Sequence, residues 1–115
     1  MLEIERSLLG CILSWENKFD EVFADLEAGD FGDGRNRTIF SAMCKLREES
    51  EPGQVDLAML SEYLRDKDLE MQAGDPLYIY SLVSESTVPA MLPDYVRKIK
   101  EASTLRQIQT LMKGV

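Results

Sequence analysis

Asp30 and Asp33, set among Gly29, Gly32 and Gly34, are the stretch of this chain whose residue types most suggest ion or phosphate chemistry. A phosphate-cradling loop offers unpaired backbone amides through glycines at fixed offsets, G-x-x-x-x-G-K-[ST] or G-x-G-x-x-G after a strand. Here the spacing is wrong, the preceding pattern is helical, and two aspartates would repel the ligand. A calcium loop fails as well, because the acidic and amide residues do not alternate toward a closing glutamate. Asp30-Phe31-Gly32 spells the magnesium-binding tripeptide of protein kinases, but the Gly-rich loop, the catalytic loop and the length of that fold are all missing. Histidine is absent, which removes the commonest general acid/base and the commonest metal ligand together. Cys11 and Cys44 stand far apart in apolar helical stretches, with neither metal-ligand nor redox spacing, and read as buried, reduced core thiols. The carboxylates fall mostly on polar helix faces. The chain is therefore expected to hold no catalytic residue, no metal and no cofactor.

The net charge is −8. A surface that acidic opposes a phosphate backbone, whose capture depends on Lys and Arg displacing counterions. A helix-turn-helix reading, suggested by Leu57, Leu60 and Leu64 on a short fourth helix, meets the same objection. Its candidate recognition surface carries Glu62, Asp66, Asp68 and Glu70 beside only Arg65 and Lys67. The charge is uneven: from residue 95 onward Arg97, Lys98, Lys100, Arg106 and Lys113 face only Glu101, a net +4 that leaves −12 on the first 94 residues. A basic final helix on an acidic body marks either an interface or a solvated face.

The elements that carry these residues are helical throughout. Ile4, Leu8, Cys11, Ile12 and Trp15 recur at steps of three and four, with Leu9 and Leu13 widening the stripe. Gly10 inside that helix costs roughly 1 kcal/mol of propensity against Ala, a cost that makes sense if another helix approaches closely there. Phe19, Val22, Phe23 and Leu26 share one face of a short second helix. The glycines at 29–34 then mark a loop, and a third helix from about Arg35 to Glu49 buries Ile39, Phe40, Met43 and Leu46. Glu51-Pro52-Gly53 ends it. Asp56 and Asp75 have the chemistry of N-caps, and Pro76 suits a first helical position where its missing amide hydrogen goes unmissed. The fourth helix buries Leu57, Leu60 and Leu64, and the fifth Tyr78, Ile79, Leu82 and Val83. After a loop from Thr87 to Pro93 a sixth pattern runs through Val96, Ile99, Ala102, Leu105, Ile108, Met112 and Val115. At 1.5 Å per residue it would be roughly 30 Å long, more than a small head can cover, so its distal apolar residues need a partner unless 105–115 fold back. The fold class is all-α: a compact orthogonal bundle of about six helices, a single domain over 1–115 with a head of about 1–90 and an arm of about 93–113. No charged n-region followed by an apolar h-region opens the chain, and no apolar run approaches the roughly 18–20 residues that span a bilayer, so a cytoplasmic location without membrane contact is expected.

In their order and spacing these fragments resemble the N-terminal domain of DnaB-type replicative DNA helicases. Glu3-Ile4-Glu5-Arg6-Ser7-Leu8-Leu9-Gly10-Cys11-Ile12-Leu13 is similar to that family's opening helix. Asp30-Phe31, then Arg37-Thr38-Ile39-Phe40-Ser41-Ala42 and Leu46, resemble its Asp-Phe and His-Arg-x-Ile-Phe segments. Val55-Asp56 with Leu60 and Leu64, then Gly74, Tyr78-Ile79, Leu82, Tyr95, Ile99 and Leu105-Arg106 complete the likeness. Asn36 stands where the family commonly has His, and Ala73-Gly74, with Pro76 inserted, where it has Gly-Gly; both mark a divergent bacterial member, phage- or plasmid-encoded forms included. The resemblance implies a parent with an ATP- and magnesium-dependent motor, absent here, that unwinds DNA 5′ to 3′ as a ring of six at the replication fork. This chain would be its collar, dimerising into a trimer of dimers and docking primase and a helicase loader in the primosome, and touching DNA only through the missing motor. Helix six would be the first arm of a helical hairpin, its apolar edge awaiting the second arm or a neighbouring subunit, with Tyr95, Ile99, Leu105, Ile108 and Met112 as apolar contacts and Arg97, Lys98 and Arg106 setting orientation. An independent phage or plasmid regulator that mimics the collar would share all of these features.

Overall fold

Six helices in chain order account for the regular structure of the computed structural model, which describes residues 1–15, 19–49 and 54–114. They are α1 (Leu2–Ser14), α2 (Asp20–Asp25), α3 (Gly34–Glu49), α4 (Leu57–Asp66), α5 (Pro76–Ser84) and α6 (Leu92–Lys113), with 3-10 turns at Ala28–Asp30 and Pro89–Met91. Among the described residues there is no strand, so the expected all-α class holds. The expected helix stop at Glu51-Pro52-Gly53, and Val115, lie outside the described residues.

Local chemistry sets the boundaries. The Asp56 carboxylate accepts from the Met59 amide at 2.8 Å and that of Asp75 from the Tyr78 amide at 2.9 Å, each satisfying a first-turn donor that no helical carbonyl reaches. Pro76 occupies the first turn of α5, as expected. Gly74, at φ +84°, turns the chain into that cap where any side chain would meet the Tyr78 ring. The glycine-rich segment is more ordered than a loop. Asp30 accepts from the Glu27 amide at 2.8 Å, closing the 3-10 turn, and Asp33 accepts from the Arg35 amide at 2.9 Å, which caps α3 and starts it at Gly34.

The core lies where α1 meets α3, α5 and α6, with α4 against α3. Leu8, Leu9 and Ile12 of α1, Ile39, Phe40 and Met43 of α3, Leu60 and Leu64 of α4, Leu82 of α5 and Ile99 of α6 are buried together. Phe40 is the centre of an aromatic group, stacked on Phe23 at 5.1 Å and tilted against Phe31 at 4.8 Å. The reason for Gly10 is steric: a Cβ there would sit 1.9 Å from the Leu82 carbonyl oxygen, so α1 and α5 touch backbone to backbone. Two expected core positions are corrected. Trp15, the residue that leaves α1 in an extended conformation, is 46% exposed, and Val83, on the outward side of α5, is 36% exposed. The principal extents are 44 × 33 × 25 Å, the long axis reflecting a terminal helix of 22 residues, roughly 33 Å at 1.5 Å per residue.

Candidate protein-protein interface

The last helix divides into an anchored half and a projecting half. Leu92, Ile99 and Ser103 of its anchored half are buried against the body. The anchor is Asp30, which is 5% exposed. Its carboxylate accepts from Lys100 Nζ at 2.9 Å and Ser103 Oγ at 2.7 Å, while its backbone carbonyl accepts from the Arg106 guanidinium at 2.7 Å. Burial pushes the Asp30 carboxyl up, but hydrogen bonds from the Glu27 amide, Lys100 and Ser103, with the Lys100 charge, outweigh it and hold the group below the usual carboxylate range. About two turns of α6 are thus tied to one aspartate through Lys100, Ser103 and Arg106.

Beyond Ser103 the helix runs on to Lys113 and does not fold back. Leu105 is 57% exposed, Ile108 48%, and Leu111 and Met112 72% each. Leu105, Ile108 and Met112 follow at i, i+3 and i+7, which places them on one stripe with Leu111 beside it. Such a stripe in water is the sequence pattern of a helix that packs against another polypeptide.

The eight residues expected to form the interface separate accordingly. Leu105, Ile108 and Met112 lie on the projecting stripe. Ile99 is fully buried and belongs to the core, a correction that follows from the docking of the first half of α6 onto α1. Tyr95 is half-buried and packs against the core. Arg97 pairs with Asp94 at 2.6 Å and Glu101 at 3.1 Å, and Lys98 reaches Asp94 at 3.7 Å, so both are engaged with acids of their own helix. Arg106 is committed to the Asp30 carbonyl. Of the five basic residues in this segment, Arg97, Lys98 and Lys100 are ion-paired, while Arg106 donates to a carbonyl and Lys113 makes no ion pair among the described residues, so Asp94 and Asp30 offset part of the net +4.

A second buried polar group was not anticipated. Glu5, 1% exposed, accepts from the Gly32 amide at 2.7 Å and from the Asn36 side-chain amide at 2.9 Å, with the Asp33 amide at 3.4 Å. Asn36 in turn accepts from the Tyr78 hydroxyl. Arg37 closes the same segment from outside by donating to the carbonyls of Phe31 and Gly32, each at 3.1 Å. These contacts fasten the 30–36 segment, and with it the Asp30 anchor, to α1 and α5. Glu5 and Asp30 are the buried acids among the described residues, exceptions to carboxylates that otherwise lie on polar faces. A buried carboxylate needs donors, and backbone amides three elements away leave no local pattern in the sequence.

Among the described residues no group of three His, Cys, Asp or Glu is placed to hold a metal ion. Both cysteines are free thiols; Cys11 is buried and Cys44 half-buried, so the latter is less enclosed than expected. Burial pushes the Cys11 thiol up to about 11, which leaves it protonated and unreactive at neutral pH. No helix is long and apolar enough to cross a membrane.

Comparison with known proteins gives the interface its context. The replicative DNA helicase DnaB of Pasteurella multocida is 30% identical over 99% of this chain, which spans 24% of that protein's length. The DnaB of Rhodothermus marinus is 31% identical over 98% of the chain, which spans 12% of its length, and the replicative helicase DnaC of Bacillus subtilis is 26% identical over 93%, with 23% of its length covered. No solved structure matches. The profile of the DnaB-like helicase N terminal domain matches residues 1–101, α1 through the anchored half of α6, and the chain belongs to that family.

Proposed function

We propose that this chain is a collar and docking domain of a replicative helicase: it mediates assembly of the subunit ring and receives primase or a helicase loader, while ATP-driven unwinding resides in sequence of the kind that makes up the rest of its longer relatives. The observation that carries this reading is the apolar stripe of Leu105, Ile108, Leu111 and Met112, held out by a helix whose root is fastened through Asp30. A frayed apolar tail would lose much of its contact energy to ordering on binding. A helix locked at its base presents the same side chains already arranged. Leu105, Ile108 and Met112 supply the contacts, and the head positions them.

Leu105→Asp with Ile108→Asp tests the proposal. Both side chains are exposed, so the helical circular-dichroism signal and urea midpoint should match those of the parent chain. Self-association by sedimentation, or retention of a cognate primase in a pull-down, should weaken by at least about tenfold, the equivalent of one well-packed apolar contact. Unchanged behaviour in both measurements would reject the assignment.

A further inference from the structure

Between α2 and the root of α6 lies a cleft of about 520 Å³, within the roughly 300–1,000 Å³ of formed binding pockets. Its floor is apolar: Val22 and Leu92 are buried there and Val96 is half-buried. Pro89 and Pro93 stand on the α6 side, and their fixed φ stiffens that wall before anything binds. The outward side of α5 also exposes Leu77, Tyr80 and Val83, but the hollow beside Tyr80 carries charges of both signs, Arg65 with Glu62 and Asp66, which select no partner. The charges of the cleft are of one sign. Its α2 wall supplies Asp20, Glu21 and Asp25, and among the described residues no cation lines it. Asp20 is paired with Arg47. Glu21 and Asp25 are exposed, and neither makes a hydrogen bond or ion pair among the described residues. Asp25 ends α2, whose last turn has no basic residue. A carboxylate is unfavourable at that end, where the unpaired carbonyls of a helix concentrate negative charge. Folding alone does not account for it.

These features select an occupant. Carboxylates repel a phosphate backbone, and a second copy would bring a head whose first 94 residues carry −12 to the same acidic rim. We propose that the cleft is a docking site for a segment of another protein in which one large apolar side chain is flanked by Lys or Arg. The apolar side chain covers Val22, Leu92 and Val96, and the flanking cations answer Glu21 and Asp25. A partner seated there touches α2 and α6 at once and braces the root of the arm. The site uses no residue of the projecting stripe, so it goes beyond the reading of that stripe and does not rest on it.

Titration of the nitrogen-15-labelled chain with a blocked peptide, one leucine between two pairs of arginines, tests the proposal. Saturable amide shifts are expected in residues 20–25 and 91–96. Glu21→Lys with Asp25→Lys, both at exposed positions and therefore folded by circular dichroism, should weaken binding at least about tenfold. Exchanging the peptide's leucine for serine should weaken it as much, because the floor is then left uncovered. Leu105→Asp with Ile108→Asp should bind the peptide as the parent does. Asp25→Lys alone should leave the urea midpoint unchanged or raised, since a cation suits a helix C-terminus. Shifts scattered over the acidic surface, equal binding of the serine peptide, no shift at millimolar peptide, or binding lost in the arm variant would each overturn the site. A lowered midpoint for Asp25→Lys would overturn it too, by giving that carboxylate a structural role. So would altered sedimentation of the Glu21→Lys, Asp25→Lys variant without peptide, which would make a second copy the occupant. None of these outcomes touches the test of the α6 stripe.

Discussion

At Gly10 a missing methyl group sets the distance between two helices. Ala is the better helix former by about 1 kcal/mol, so a propensity argument alone would have Gly10→Ala stabilise α1. The structure reverses the sign, since the new Cβ would lie 1.9 Å from the Leu82 carbonyl oxygen, a backbone atom that cannot rotate away. Overpacking of this kind costs about 1–3 kcal/mol and more when backbone must shift. The expected outcome is net destabilisation of about 2 kcal/mol, read as a lower urea midpoint with an unchanged slope. A raised midpoint would show that α1 and α5 separate freely. The sequence exposed this residue because a glycine inside a strong helical stripe is conspicuous. Glu5 gave no such sign: an acidic residue in a first helical turn is ordinary, favoured by the helix dipole, and only the folded chain shows that its partners are the Gly32 amide and Asn36. Asn36 did stand out by resemblance, as a substitute for histidine. The structure shows what an amide does there: it donates to Glu5 and accepts from Tyr78, a bridging pair of roles that a neutral imidazole also offers.

Helices were legible wherever a cap or a periodic stripe fixed them, as at Asp56, Asp75-Pro76 and the Ile39, Phe40, Met43 and Leu46 stripe of α3. The glycine-rich segment before α3 was not, because its order comes from Asp30 and Asp33 closing turns on backbone amides and from α6 contributing donors some seventy residues on. The docking of α6 is the element-scale event on which the exposed arm depends, and Asp30 makes it measurable. Asp30→Asn keeps the shape but loses the charge that Lys100 and Ser103 address, and its amide hydrogens face donors. Hydrogen bonds to a charged group contribute about 1.5–3 kcal/mol, so a loss of about 2 kcal/mol at pH 7 is expected. Because the folded carboxyl titrates below its ordinary value, its contribution is complete above the ordinary carboxylate pKa of about 3.9 and fades as pH falls through the lower folded value. The gap between parent and variant in urea titrations should therefore be full at neutral pH and narrow below about pH 4. A gap independent of pH would assign the effect to shape instead of charge. Amide exchange in the 104–113 tail should rise in the variant along with the loss.

On the scale of the whole molecule, the acidic and basic portions read from the sequence resolve into something more specific. The basic terminal segment read as an interface or a solvated face, yet Arg97 and Lys98 turn to Asp94 and Glu101, Lys100 to Asp30, and Arg106 to a carbonyl. Residue spacing could report that Asp94 sits three and four positions before Arg97 and Lys98; it could not report Asp30, because that pairing is tertiary. What remains at the surface is an acidic body with two apolar strips, one on α6 and one on α5, and a charge pattern suited to proteins. A duplex needs a contiguous set of unpaired cations, since affinity comes from counterions displaced by each neutralised phosphate. The α4 face carries Glu62 and Asp66 beside Arg65, and the terminal helix has paired Arg97, Lys98 and Lys100 with carboxylates, leaving no contiguous set of free cations. Fluorescence anisotropy with a labelled duplex should accordingly show no saturable binding at physiological salt, and any residual signal at low salt should vanish on adding salt. Association between copies of the chain should survive the same addition in large part, because its energy lies in Leu105, Ile108 and Met112 more than in the surrounding charges. Tight, saturable duplex binding at physiological salt would instead mean that the cations of α6 leave their carboxylate partners for phosphate, and that the domain reads nucleic acid after all.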